Sequence, residues 1–140
     1  MSILSIQLKK LWWVGPLTVL AAVIGVLIVR AIAVAILPPP YAPGLAMIMV
    51  PIVLTVILCT CAVVVFALVG RFVKNPVRTY VIISVVFLLI SFIPDLMVPS
   101  MGAAMPGANW GYAISLMIMH IVAGFITVYM LIKLTAEKNK

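Results

Sequence analysis

The chain has 140 residues, of which 67% are apolar and 8% charged, against roughly 45–50% and about 25% in soluble domains. A globule this small cannot hide so much apolar surface from water, which excludes a soluble enzyme, and the scarcity of charge excludes a disordered chain. Nine basic residues against two acids leave a net charge of +7. They cluster at the ends of apolar runs, which is the placement of cytoplasmic loops and not of a nucleic-acid surface.

The first apolar run, Leu11 to Leu37, follows Lys9 and Lys10 and stops at Pro38, Pro39 and Pro40. A basic start and the small residues Ala31 and Ala33 resemble a cleaved signal, but the run is too long for one, so a first membrane helix is expected. The second run, Leu45 to Val69, closes at Gly70 and Arg71. The third begins after Arg78 and reaches Val98, with Pro94 and Pro99 disturbing its end; the fourth covers Trp110 to Leu134. Each has the roughly 20 residues that a helix needs to cross about 30 Å of hydrocarbon. Only structures that pair their own backbone groups cross lipid economically.

The expectation is an all-α membrane protein in one integral membrane domain over residues 1–140: an antiparallel four-helix bundle with helices near 11–37, 45–69, 79–98 and 110–134. The N-terminus, the 70–78 loop and the C-terminus hold Lys9, Lys10, Arg71, Lys74, Arg78, Lys133, Lys138 and Lys140, whereas Pro38–Gly44 and Met97–Asn109 hold no basic residue. Both termini are therefore expected in the cytoplasm. Trp12, Trp13, Tyr41, Trp110 and Tyr112 are placed to anchor the interfaces. The pairs Ala21/Gly25 and Gly111/Ser115 have the small-x-x-x-small spacing that lets helices approach.

Cys59 and Cys61 stand about 200° apart on a helix, which suits packed thiols better than a disulfide or a shared metal ion. Arg30 lies 20 residues after Lys10 and Asp95 lies 17 after Arg78, about 30 Å and 25 Å along their helices. Ionisable groups at such depth find partners, so a structural Arg30–Asp95 ion pair, or an Arg30 that snorkels to the outer headgroups, is expected, with Asp95 as a cation or proton site the sharper alternative.

His120 lies 13 residues before Lys133, about 20 Å along the helix and close to the bilayer midplane, at nearly the depth of Cys59. The bland expectation is a neutral imidazole bonded to Thr55, Thr60 or Ser84 on a neighbouring helix. The sharper one is a cofactor ligand: a haem iron or a chlorophyll-type magnesium beside the small Ala123 and Gly124. Met47, Met49, Met97, Met101 and Met105 near the outer face are read as apolar filling rather than a Cu(I) site, so no metal site is expected.

Three stretches carry a resemblance: Asn75-Pro76-Val77-Arg78-Thr79-Tyr80, Ser91-Phe92-Ile93-Pro94-Asp95-Leu96, and Leu116-Met117-Ile118-Met119-His120-Ile121-Val122-Ala123-Gly124. With the Leu-Trp start of the first run, they resemble an uncharacterised bacterial family of small four-helix membrane proteins, a domain of unknown function. The resemblance spans about Leu11 to Leu134 and implies the four-helix topology and a bacterial inner membrane; it implies no activity.

Glycine-rich phosphate loops, H-E-x-x-H, redox C-x-x-C and paired carboxylates are missing from the sequence, and His120 has no acidic neighbour in it, so no catalytic role is expected. The leading expectation is a small accessory or structural subunit, in contact with the bilayer and with other membrane subunits or itself. A haem, chlorophyll or metal carrier using His120 is the alternative. A small oligomeric transporter comes third, because helix 1 offers Arg30 where four-helix drug exporters rely on an acid.

Overall fold

In the computed structural model the backbone is described for residues 4–138; Lys140, counted above with the basic residues, lies outside the described residues. Apolar runs without a polar period coil into helices that bond only within themselves. These are α1 (Leu11–Ile36), a single turn α2 (Pro43–Ala46), α3 (Met49–Phe72), α4 (Pro76–Met97) and α5 (Trp110–Thr135). Four of them are long and apolar enough to cross a membrane, the architecture of a multi-pass membrane protein.

The boundaries follow local chemistry. Pro76 occupies the first turn of α4, where its missing N–H leaves nothing unpaired, so the helix starts before the residue 79 expected from hydropathy. Leu45 belongs to α2 and α3 begins only at Met49. The Asn109 side chain caps α5 by accepting from the Tyr112 N–H at 2.9 Å, an N-terminal cap. Beyond α4 the chain tightens into a 3-10 segment, Val98–Ala104, broken at Gly102.

α1 packs most extensively against α5 and α3, while α4 lies against α5 and, more loosely, α3. Gly25 marks a close α1–α5 approach: a Cβ there would lie 2.6 Å from Ile126 Cδ1 and 3.0 Å from Val122 Cγ1. One member of the Ala21/Gly25 pair thus makes the close contact that its spacing suggested.

Two apolar clusters hold the ends of the bundle. Val26, Ala33, Leu45, Val98, Tyr112 and Met119 belong to one, and Leu11, Val14, Phe66, Val69, Tyr80 and Leu131 to the other. Between them lies a layer of small polar groups: Thr18, Thr55, Cys59 and Thr127, all buried. The Thr127 hydroxyl donates to the Ala123 carbonyl at 2.7 Å, which leaves its lone pairs to accept from the Cys59 thiol 3.4 Å away.

One element departs from the all-helical expectation. Leu4–Ile6 pairs antiparallel with Ala136–Lys138, in the register Leu4↔Lys138 and Ile6↔Ala136, and the Gln7 N–H extends the ladder to the Thr135 carbonyl at 2.9 Å. This ribbon ties the two ends of the chain together at one end of the bundle, as an even number of crossings requires.

Candidate functional site

The polar residues of α4 recur at helical spacing. Tyr80, Ser84, Ser91 and Asp95 are separated by 4, 7 and 4 residues, which places them within about 60° of one another at 100° per residue. That stripe faces the bundle. Pro76, Tyr80 and Asp95 are the only buried residues of the helix, and Tyr80, Ser84 and Ser91 line a cleft between α3, α4 and α5.

At the Asp95 end, the carboxylate Oδ2 lies 2.8 Å from His120 Nδ1 on α5. The sequence places the two Cα atoms at slightly different depths, and the two side chains close that offset. Asp95 is 4% exposed and does not line the cleft, whereas His120 does. The carboxylate therefore stands behind the ring, holding Nδ1, and Nε2 has no hydrogen-bond partner among the described residues. A carboxylate bonded to one ring nitrogen sets the tautomer and orientation of an imidazole that works through the other.

Two expectations are corrected here. Asp95 is bonded to His120, and not to Arg30. The Arg30 guanidinium instead donates from Nη2 to the Leu45 carbonyl at 2.5 Å, because α2 folds over the end of the bundle and brings an unpaired helix-end carbonyl within reach. The Gly44 N–H of that turn donates to Tyr112 Oη at 3.1 Å, so α1 and α5 together hold the cap. Second, the partner of His120 is none of Thr55, Thr60 or Ser84. Thr60 donates to its own helix at the Val56 carbonyl, 2.6 Å away, while Thr55 and Ser84 line the same cleft as His120.

The cleft has a volume of about 240 Å³. Its walls are mainly apolar side chains, and no Lys or Arg lines it. Ala123 and Gly124 form part of the α5 wall. A Cβ on Gly124 would meet only Leu88 Cδ1, at 3.9 Å, so the space beside this glycine is open. The Tyr80 hydroxyl is buried at the far end of the cleft without a hydrogen-bond partner. Cys59 and Cys61 both line the cleft, the first buried and the second exposed.

An Asp–His pair next to serines invites comparison with a hydrolytic triad. Ser91 stands one turn before Asp95 and lines the cleft, yet its hydroxyl donates to the Leu88 carbonyl at 2.7 Å. Its proton is committed to its own helix rather than to His120. Among the described residues there is no group of three or more His, Cys, Asp or Glu side chains that could hold a metal ion.

The fold and the residues around His120 can be set against known proteins. Residues 6–137 match a family described as a family of unknown function, DUF6069. The chain belongs to this family. The match takes in all four long helices, Asp95 and His120, in keeping with the resemblance to an uncharacterised four-helix family. No curated protein and no solved structure matches the chain. Membership of DUF6069 therefore brings no chemistry with it, and the site has to be read from its own residues.

Proposed function

We infer that the protein is a non-catalytic integral membrane protein that holds a small molecule drawn from the lipid phase in the cleft between α3, α4 and α5. The single observation that carries this reading is the Asp95–His120 bond at 2.8 Å beside an open cleft. An ionisable pair inside a membrane is costly and marks a working site by default. Here the buried carboxylate fixes a ring whose other nitrogen is left for a ligand. The basic clusters support an orientation with both termini in the cytoplasm, and the resemblance to an uncharacterised bacterial family supports a bacterial inner membrane.

A second reading, a small accessory subunit within a larger membrane complex, rests on α4. That helix buries three residues against its own chain and leaves Ile82, Val86, Phe87, Ile90 and Ile93 more than half or half exposed.

Native mass spectrometry of protein extracted gently from its own membranes tests both. A bound small molecule that is lost in His120→Leu supports the ligand-binding reading, and a visible absorption band on the same sample identifies it as haem or a chlorophyll-type pigment. A stoichiometric assembly with larger subunits and no small molecule replaces the first reading with the second. A bare homo-oligomer overturns both.

A further inference from the structure

The chemistry of the cleft narrows what it holds, an inference that rests on the ligand-binding reading given above. Three observations bear on the head group of a ligand. No Lys or Arg lines the cleft, so an anionic head such as a carboxylate or phosphate meets no counter-charge. The nearest negative charge, Asp95, is buried, does not line the cleft and is already bonded to His120, so a cationic head has no direct partner either. Taking an unpaired charge into apolar surroundings costs far more than one hydrogen bond returns. The head is therefore uncharged. The group that meets it is His120 Nε2, which accepts when the ring proton sits on Nδ1 and donates when Nε2 itself carries a proton. A hydroxyl matches both states, since it donates to a bare nitrogen and accepts from an N–H.

The body of the ligand is set by the walls. The cleft volume of about 240 Å³ exceeds the roughly 150 Å³ apolar cavity known to take a benzene ring. The cleft is also open along its side, between helices whose outer faces are apolar, so a longer tail can leave into the bilayer.

We propose that the cleft between α3, α4 and α5 binds an uncharged amphiphile, a hydroxyl head on an apolar tail, with the head on His120 Nε2. The residues that bind it are His120 for the head and the wall formed by Leu88, Met119, Ala123 and Gly124 for the first part of the tail. The Tyr80 hydroxyl, buried without a hydrogen-bond partner at the other end of the cleft, is a second polar contact for a chain that reaches it.

The chain contains a single histidine, so protein labelled with 15N-histidine gives side-chain resonances from this site alone. The experiment adds 1-dodecanol, dodecane, dodecanoate or dodecylammonium to the full chain in lipid nanodiscs and follows His120 Nε2. The expected result is a saturable shift with dodecanol at a concentration about tenfold below that of any other probe, the worth of one well-made hydrogen bond over an unmatched head. Dodecanoate or dodecylammonium acting at an equal or lower concentration overturns the uncharged head and leaves the ligand-binding reading standing. Silence with all four probes overturns both.

Gly124→Leu, which fills the open space beside Leu88 one helical turn from His120, is expected to abolish the dodecanol shift. If this variant does not fold, Leu88→Trp fills the same space from α4. A shift that survives in a folded, filled variant places the effect outside the cleft and overturns the location.

Discussion

His120 Nδ1 and Asp95 Oδ2 stand 2.8 Å apart, joining the only histidine of the chain to one of its two acids. The contact ties the C-terminal end of α4 to the middle of α5, while Tyr80, edge-on to Phe66 at 4.7 Å between ring centroids, ties the N-terminal end of α4 to α3. Between these two anchors α4 buries nothing, and that is where the cleft lies.

Breaking the Asp95–His120 anchor should be felt in stability. Asp95→Ala is expected to cost about 1–3 kcal/mol, because it leaves the imidazole without its partner. Adding His120→Ala should then cost less than His120→Ala alone, with a coupling of roughly 0.6–1.7 kcal/mol, from the average to the maximum measured by double-mutant cycles in a helical membrane protein. Arg30→Ala combined with Asp95→Ala should instead be additive within about 0.5 kcal/mol, since the two share no bond. Unfolding titrations of the reconstituted variants read all of these, and a strong Arg30–Asp95 coupling would refute the assignment of partners.

The cap over the bundle end makes a separate prediction. Tyr112→Phe removes the acceptor for the Gly44 N–H and should destabilise by about 1 kcal/mol, while Arg30→Met, which strips a charge-assisted bond from the Leu45 carbonyl, should cost roughly 1.5–3 kcal/mol. Hydrogen exchange of residues 43–47 should accelerate in both. Unchanged exchange there would mean that the turn is held by something else.

Two glycines, one on α1 and one on α5, should respond oppositely. At Gly25 a β-carbon would already crowd Ile126 and Val122, so Gly25→Val is expected to lose about 1–3 kcal/mol through overpacking of α1 on α5. At Gly124, where the nearest atom is 3.9 Å away, Gly124→Ala should be neutral or stabilise by up to about 1 kcal/mol through helix propensity. The same unfolding assay compares them, and equal losses at both sites would contradict the open cleft.

The reading as a non-catalytic protein is open to a direct chemical test. With the Ser91 proton donated to Leu88, a fluorophosphonate reagent should leave the protein unlabelled at concentrations that saturate serine hydrolases. Labelling that disappears in Ser91→Ala would turn the Asp95–His120 pair into part of a catalytic triad.

Orientation can be checked with single cysteines in a background free of Cys59 and Cys61. A membrane-impermeant maleimide added to intact cells should label Ser100→Cys and spare Lys74→Cys. The reverse pattern would invert the topology.

Read as a sequence, the chain already determines its four helices. Hydrocarbon demands about 20 apolar residues per crossing and internal backbone pairing, and the four runs meet that demand with boundaries within four residues of those observed. The polar face of α4 was also legible: Tyr80, Ser84, Ser91 and Asp95 share one side by helical period alone. The choice of partners was not. Depth along a helix places Arg30, Asp95 and His120 to within a turn or so, but it carries no information on rotation about the helix axis or on which helices are neighbours. Only the tertiary structure sets those, through the close approach at Gly25, the cap that captures Arg30 and the packing of α4 on α5. Where charge is scarce and lipid offers no alternative hydrogen bonds, each polar group bonds to whatever the packing brings near, and that pairing is decided in three dimensions.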